Sequence, residues 1–392
     1  MTFLSRTQQR IRVRDRVIGP GEKIFLTAEI GSAHMGSVEH AKTMIRGAAE
    51  AGCDGCDIFN YSSGEIFYFN HIRAGEDTYP GEFTLAKMCR EIDELNFTYR
   101  QWEELFRYAE QCGIILYLTP LDPVAMKMTG DLGSPMININ SDDINNILLL
   151  EEAAKLKVPV TFHNINATFA EVEACIRTLK DNGVEDIIAL HSTQESGSPE
   201  YLYSSANLEV INTYRQAFGD MGVMAGCVEH TTSDFLIYAV AALRPVLISK
   251  HIYLPDKSIH DVPISVDCAH YAEMVKRVRY VEMALGNGHS QRLYTRGKDP
   301  ARAGRNRSKV LVAARDIPAG KVIDREDLIA KRPGHLGGLN PWMARQLLGA
   351  TAREAIKMNT ILQLDHFEKF PPVDYKFPEL ELVEIDRDNI RA

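Results

Sequence analysis

Two histidines, His230 and His251, each close a short apolar run in the stretch "VEHTTSDFLIYAVAALRPVLISKHIY". A segment with a helical pattern lies between them, so they end two different predicted strands. Two imidazoles held side by side can bind a divalent ion and leave its other positions to water and substrate oxygens. A lone histidine would instead indicate a general base or a hydrogen-bonding group. The chemistry therefore depends on whether the fold brings the pair together.

Short apolar runs alternate with amphipathic segments from Ile24 to about Gly286. The runs are "IFLTAEIGS", "GCDIFN", "IILYLTP", "MININ", "VPVTFHNI", "DIIALHST", "VMAGCVEH" and "VLISKHIY". Near-continuous apolar strands separated by helices indicate a parallel sheet that is covered on both faces. Eight such units in about 250 residues predict an α/β fold, the (β/α)8 or TIM barrel. A doubly wound open sheet is the alternative, although no GxGxxG motif opens the first helix.

In a barrel of this kind, active-site groups project from the C-terminal ends of the strands. By count, His230 ends the seventh strand and His251 ends the eighth, so the two side chains are neighbours. The sequence therefore predicts a divalent-metal site at this rim.

The bulk composition excludes several classes of protein. A formal net charge of -9 over 392 residues argues against a nucleic-acid partner. No apolar run approaches the roughly 20 residues that a membrane span needs. The N-terminus lacks the apolar core of a signal peptide, and seven scattered cysteines do not form a disulfide framework. We expect a cytoplasmic protein with no membrane partner.

Changes in composition divide the chain into five parts. We predict an N-terminal extension over residues 1–23, a catalytic barrel over 24–286, a polar and basic linker over 287–307, a small β-rich domain over 308–367 and an acidic tail over 368–392. The segment from Asn60 to Asn96 is longer than a usual connection and predicts an active-site excursion.

Five longer stretches carry a specific pattern: "AEIGSAHMGSVEHAKTMIRGAAEAGCD", "CGIILYLTPLD", "GCVEHTTSD", "SKHIYLPDKSIHDVPIS" and, in the small domain, "AARDIPAGKVIDREDLIAKRPGHLGGLNP". The pattern resembles the sialic acid (N-acetylneuraminate) synthase family, in which a barrel carries a C-terminal SAF (antifreeze-like) domain. The resemblance covers nearly the whole chain. It implies condensation of phosphoenolpyruvate with a sugar aldehyde, a divalent metal (Mn²⁺ or Mg²⁺), and a domain-swapped homodimer in which each small domain caps the other subunit's barrel.

The resemblance also implies roles for individual residues. His230 and His251 match the metal ligands, and Glu29 matches a catalytic acid on the first strand. Asp261 matches a substrate-binding aspartate in the loop after the eighth strand. Arg332, in "KRPG", matches an arginine that reaches the substrate from the partner chain.

Other positions depart from the family pattern. Asp57 stands where the family has a lysine on the second strand, and Asn138 replaces a second lysine on the fourth. Ser141 is retained, Asp143 stands in for a catalytic glutamate, and His163 follows the fifth strand in place of a small residue. We interpret Asp57, Asn138, Ser141 and His163 as substrate-binding and Asp143 as catalytic.

The lost lysines are the groups expected to hold the phosphate and carboxylate of phosphoenolpyruvate. Each such charge-assisted hydrogen bond contributes roughly 1.5–3 kcal/mol, so their loss predicts weak anion binding. One alternative is that Asp57 faces away from the site and another cation, such as Arg73, compensates. A second is a metal-dependent aldolase or lyase that does not use phosphoenolpyruvate. A third is a catalytically inactive sugar-binding relative.

Overall fold

A computed structural model describes residues 10–62, 93–165, 167–193, 199–231, 233, 235–258, 262–286, 309–332 and 338–371. The chain divides into two compact units, Met1–Gly286 and Asn287–Ala392. The predicted linker, residues 63–92 of the predicted excursion and residues 372–392 of the tail lie outside the described residues.

The first unit contains a closed barrel of eight parallel strands. In chain order they are Phe25–Gly31, Gly55–Asn60, Ile115–Pro120, Ile137–Ile139, Val160–Asn164, Ile187–Ser192, Val223–Glu229 and Leu247–Tyr253. Each strand pairs in parallel with its neighbours, and the eighth pairs with both the seventh and the first. The predicted (β/α)8 barrel is therefore confirmed, and the open sheet is excluded. A short strand, Val266–Asp267, pairs in parallel with the C-terminal end of the eighth strand.

Helices follow the strands and cover the outside of the barrel. They are Val38–Glu50, Tyr99–Cys112, Pro123–Asp131, Ile147–Lys155, Phe169–Asp181, Pro199–Ser205, Val210–Phe218, Leu236–Ala242 and Cys268–Leu285, with 3-10 turns at Ser141–Asp143, Gly219–Met221 and Val262–Ile264. None of the described helices is both long and apolar enough to cross a membrane.

The helix Tyr99–Cys112 illustrates why these segments are helical. Thr98 and Gln101 form a reciprocal capping box at its start, and Gly113 ends it in the left-handed conformation with a φ of 71°. Its buried residues recur at helical spacing and face the barrel: Trp102, Leu105, Phe106 and Ala109.

The inward-facing residues of the barrel near the N-terminal ends of the strands are apolar. They pack against a hairpin in which Ile11–Val13 pairs antiparallel with Arg16–Ile18. The shared cluster comprises Ile11, Val13, Ile18, Phe25, Ile115, Tyr117, Met136, Ile188, Leu190, Met224, Val228, Val246 and Leu247. The sequence predicted only an extension over residues 1–23, whereas the structure forms a hairpin that closes this end of the barrel.

The second unit has its own small core. Strand Val310–Ala313 pairs antiparallel with Leu328–Lys331, and Thr351–Ala352 pairs antiparallel with Phe367–Glu368. The remaining elements are the short helix Ala344–Leu347 and 3-10 turns at Arg325–Asp327, Pro341–Met343 and Leu364–His366. The carboxylate of Asp327 is buried and is held by Arg315 and Lys321, so the charge in this core is paired.

Candidate active site

Three buried side chains converge inside the barrel near the C-terminal ends of the strands. Glu29 lies on the first strand, His230 directly follows the seventh and His251 lies on the eighth. The rings of His230 and His251 have their centroids 5.3 Å apart, and Nε2 of His251 lies 3.3 Å from Oε1 of Glu29. One ligand atom from each residue lies within 4.8 Å of the others, a spacing that a single metal ion can span.

Neighbouring strands hold two of these side chains in place. Oγ of Ser249 donates to Oε2 of Glu29 at 3.0 Å, and Nδ1 of His230 lies 3.1 Å from the carbonyl oxygen of Thr193. The backbone N–H of His230 also donates to Oγ1 of Thr193 at 2.8 Å. An imidazole whose one nitrogen donates to a carbonyl presents the other for metal binding.

Two atoms of the same cluster lack a hydrogen-bond partner among the described residues. Oε1 of Glu29 and Nδ1 of His251 are buried and make no hydrogen bond with any described residue. Buried polar atoms are normally hydrogen-bonded, so each orphaned atom needs an explanation. A cation held by Glu29, His230 and His251 would satisfy the carboxylate oxygen, and the donor set therefore fits a divalent metal.

Burial favours the neutral form of His230 and of His163. It lowers the pKa of His230 well below its usual value, and the nearby rings of His251 and His163 lower it further. Burial likewise lowers the pKa of His163. A neutral imidazole is the form that binds a metal, so His230 is ready to do so at neutral pH.

A chain of polar side chains continues around the barrel interior from this cluster; we call Asp57, Thr119, Asn138 and His163 the polar arc. Oγ1 of Thr119 donates to Oδ2 of Asp57 at 2.6 Å, and Nδ2 of Asn138 donates to Oγ1 of Thr119 at 3.1 Å. Nδ2 of Asn138 also lies 3.3 Å from Nδ1 of His163. The His163 ring is 6.1 Å from that of His230, so the polar arc ends beside the candidate metal ligands.

Asp57 is a buried acid in an environment that disfavours its charge. Burial raises its pKa well above the usual range, and the neighbouring carboxylate of Glu29 raises it further. Among the described residues, its Oδ1 has no hydrogen-bond partner and no ion pair includes Asp57. The side chain points into the barrel, and not away from it, because it bonds with Thr119.

Two predicted site residues of the barrel lie outside the polar arc. Ser141 and Asp143 belong to the 3-10 turn after the fourth strand, and Oδ1 of Asp143 accepts a hydrogen bond of 2.8 Å from Asn146. Burial raises the pKa of Asp143. Arg332 is an exposed residue of the second unit, and Asp261 lies outside the described residues.

The turn of Ser141 lines a cavity of about 340 Å³, between the loops that follow the fourth and fifth strands. The other lining residues are Asp142, Ile144, Asn145, Ile165, Ala167 and Glu171. The cavity is therefore a separate feature of the same rim, and none of its lining residues belongs to the polar arc.

The sequence reading missed three residues that support the site: Thr119, Thr193 and Ser249. Thr119 lies near the end of the third strand, Thr193 directly follows the sixth, and Ser249 lies within the eighth. Thr119 lies two residues after the inward-facing Tyr117, so strand alternation was a signal that could have identified it.

Comparisons with known proteins identify the family. The model of the NeuB family matches residues 44–290, and that of the SAF domain matches residues 308–368. The chain belongs to the NeuB family. The small second domain is a SAF domain, and the predicted combination of barrel and SAF domain is confirmed.

Individual relatives match most of the chain. The chain is 30% identical to the human N-acetylneuraminate-9-phosphate synthase over 337 residues, covering 85% of this chain and 90% of the relative. It is 25% identical to the N,N'-diacetyllegionaminic acid synthase of Campylobacter jejuni, covering 87% and 99%. The crystal structure of the N-acetylneuraminic acid synthetase of Leptospira borgpetersenii, in complex with citrate, has the same fold, with a TM-score of 0.62 at 23% identity over 75% of this chain and 98% of that one.

Proposed function

We propose that the protein is a metal-dependent synthase that joins phosphoenolpyruvate to a sugar aldehyde and forms a 3-deoxy-2-ulosonic acid of the nonulosonic type. The observation that carries the proposal is the buried cluster of Glu29, His230 and His251, in which an oxygen of Glu29 and a nitrogen of His251 form no hydrogen bond with any described residue. Several relatives are named as synthases of N-acetylneuraminate-9-phosphate or of legionaminic and pseudaminic acids.

A divalent ion at this cluster would supply Lewis acidity, which makes an aldehyde carbon more electrophilic without any proton transfer. Of Mn²⁺ and Mg²⁺, we favour Mn²⁺ because Mg²⁺ prefers an all-oxygen shell and two of the three ligands here are imidazoles. Ser249 donates to Oε2 of Glu29 and so fixes the orientation of this carboxylate beside the two histidines.

The overall reaction adds water and releases inorganic phosphate. The carbon–carbon bond forms from C3 of phosphoenolpyruvate, water adds at C2, and the phosphate leaves from that carbon. Carboxylates near the metal, namely Glu29 and Asp57, can orient the water or hold its proton. His163 and Asn138 can bind hydroxyl or carbonyl oxygens of the substrates, since both lie in the polar arc beside the metal ligands.

A second candidate function has an observation of its own. The polar arc carries an acid at Asp57, and no ion pair among the described residues brings a lysine or arginine to it. An acid without a cationic partner offers no attraction to a phosphate, whereas it can form hydrogen bonds with hydroxyl or amine groups. A metal-dependent aldolase or lyase acting on a less anionic sugar would be the better account if phosphoenolpyruvate does not bind.

We propose in addition that the active form is a domain-swapped homodimer, to which Arg332 contributes from the partner chain. This rests on the family resemblance of "KRPG" in the SAF domain. A guanidinium offers two parallel donors to a carboxylate or to sugar oxygens. Co-expression of an Arg332→Ala chain with a His230→Ala chain should restore some activity, because one composite site is then intact. A mixed dimer as inactive as either parent would contradict the arrangement.

One titration separates the two candidate functions. Phosphoenolpyruvate is titrated by calorimetry into the Mn²⁺-loaded protein, and phosphate release is followed with a panel of sugar aldehydes that includes N-acylmannosamines. The synthase predicts saturable binding and aldehyde-dependent phosphate release, both abolished in His230→Ala. No binding at millimolar concentration would remove phosphoenolpyruvate from the reaction and favour the aldolase or lyase.

A further inference from the structure

A fully buried ion pair lies beside the candidate metal ligands. Nζ of Lys250 is 2.8 Å from Oε2 of Glu229, and both side chains have 0% exposure. Desolvating two charges is costly, and burying a pair of this kind often stabilises a fold less than apolar residues of the same volume would. Stability alone is therefore a weak explanation for a buried lysine and glutamate at this position.

The contacts of the pair enclose the backbone of His230. Nζ of Lys250 donates to the carbonyl oxygen of Glu229 at 3.2 Å and to that of Thr231. Oε1 of Glu229 accepts the backbone N–H of Thr231 at 2.7 Å and also the hydroxyl of Thr231. The residues on both sides of His230 are thus fixed to one ammonium group and one carboxylate.

The same ammonium group belongs to the strand that carries the other histidine. Lys250 directly precedes His251, and Lys250 is the register partner of Glu229 across the seventh and eighth strands. Neighbouring residues of a strand point to opposite faces of a sheet. The histidine of the eighth strand therefore points into the barrel, and Lys250 lies behind it on the outer face.

We propose that Lys250 and Glu229 are positioning residues that fix the separation of His230 and His251 for metal binding. The inference rests on the metal centre of the proposed function. The pair ties together the ends of two strands, each of which carries one ligand, so the ligands stay at binding distance without the metal. Residues that contact the metal ligands but not the metal typically change the metal affinity by about 10–100-fold when they are removed.

The test uses the full chain in metal-free form with Mn²⁺ as the probe. The double variant Lys250→Met/Glu229→Gln removes both charges together, so that no unpaired charge is left buried. We expect its dissociation constant for Mn²⁺ to rise by about 10–100-fold, with a broadened Mn²⁺ electron paramagnetic resonance spectrum that reports a less uniform ligand geometry.

The matched control is an ion pair at the opposite end of the barrel. Nη2 of Arg279 is 2.9 Å from Oδ2 of Asp54, and the variant Arg279→Met/Asp54→Asn removes both charges of that pair together with the contact between Arg279 and Glu282. Its affinity for Mn²⁺ and its spectrum should equal those of the wild type, even where its thermal stability falls. A purely structural role for Lys250 and Glu229 would make the two double variants alike.

Thr231→Val provides a milder variant in case the double variant does not fold. It deletes the hydroxyl that donates to Glu229 and accepts the backbone N–H of Ser233, and it should weaken Mn²⁺ binding in the same direction. Unchanged Mn²⁺ affinity and spectrum in the folded variants would overturn the positioning role and leave the metal centre intact. A wild-type protein that binds no Mn²⁺ would instead overturn the metal centre, and the positioning role with it.

Discussion

The two ends of the barrel interior differ in polarity and in how far their buried polar atoms are hydrogen-bonded. At the N-terminal end, Ile11, Val13 and Ile18 of the hairpin fill the interior, and Asp54 accepts hydrogen bonds from Leu26 and Arg279. At the C-terminal end, the interior is polar, and the buried atoms that lack a hydrogen-bond partner among the described residues include Oε1 of Glu29, Oδ1 of Asp57 and Nδ1 of His251. Each unsatisfied buried group costs about 1–3 kcal/mol.

This difference indicates a division of labour within one sheet. The apolar end stabilises the fold. The polar end lowers that stability, because it keeps buried polar atoms without hydrogen-bond partners until a ligand binds. Substitutions at the apolar end should therefore change stability and leave metal binding unchanged. Substitutions at the polar end should show the reverse, and some of them should increase stability.

The largest change in stability is expected at the apolar end. Ile18→Ala removes a fully buried side chain and should lower the free energy of unfolding by about 2–5 kcal/mol. Urea denaturation measures that loss, and Mn²⁺ titration of the folded variant should give the wild-type affinity. A variant with weakened Mn²⁺ binding would show that the two ends are not independent.

Asp57→Asn should raise the free energy of unfolding, in contrast to Ile18→Ala. The pKa of Asp57 is raised in the folded protein, so the folded state keeps its proton at pH values where the unfolded chain has lost it. The native protein therefore loses stability as pH rises above the ordinary aspartate value, and asparagine does not. We expect the metal-free variant to be more stable at pH 8 by about 1–3 kcal/mol, with a gain that shrinks toward pH 4.

Urea denaturation of the metal-free variants at both pH values measures this gain. The matched control is Asp54→Asn, whose carboxylate is paired with Arg279. That change should lower stability by up to about 1 kcal/mol at pH 8, because the pair is partly exposed. Equal effects of the two substitutions would contradict the proposed division between the ends.

The sequence predicted the elements that repeat, namely eight apolar strands with capped helices between them, because their periodicity is local. It did not predict the hairpin, whose three-residue strands are too short for a periodic pattern. It predicted correctly that His230 and His251 are neighbours, because they end the seventh and eighth strands and consecutive strands of a barrel are adjacent. Their roles as metal ligands stay predictions.

The polar arc was only partly predictable. Asp57, Asn138 and His163 came from departures from a family pattern, whereas Thr119, which links two of them, matched no motif. Glu229 and Lys250 were also missed, because each lies next to a histidine in sequence but on the other face of the sheet. Contacts of this kind depend on strand register, which the sequence alone does not specify.

The smallest expected effect is the change in Mn²⁺ affinity with pH. Burial lowers the pKa of His230, so the imidazole is already deprotonated at pH 7 and protons compete little with the ion. Mn²⁺ affinity should change by less than about threefold between pH 8 and pH 7, and it should fall only below the ordinary histidine value. A tenfold loss between pH 8 and pH 7, measured by resonance titration, would show that His230 is protonated more readily than its burial indicates.

Mn²⁺ binding by the metal-free protein tests the central claim most directly. The wild type should bind one equivalent, and His230→Ala and His251→Ala should each weaken binding by more than about 100-fold while the circular dichroism spectrum stays that of the wild type. Ile18→Ala should bind as the wild type does. A His230→Ala protein that still binds one tight equivalent would contradict the assignment of the polar end as a metal centre.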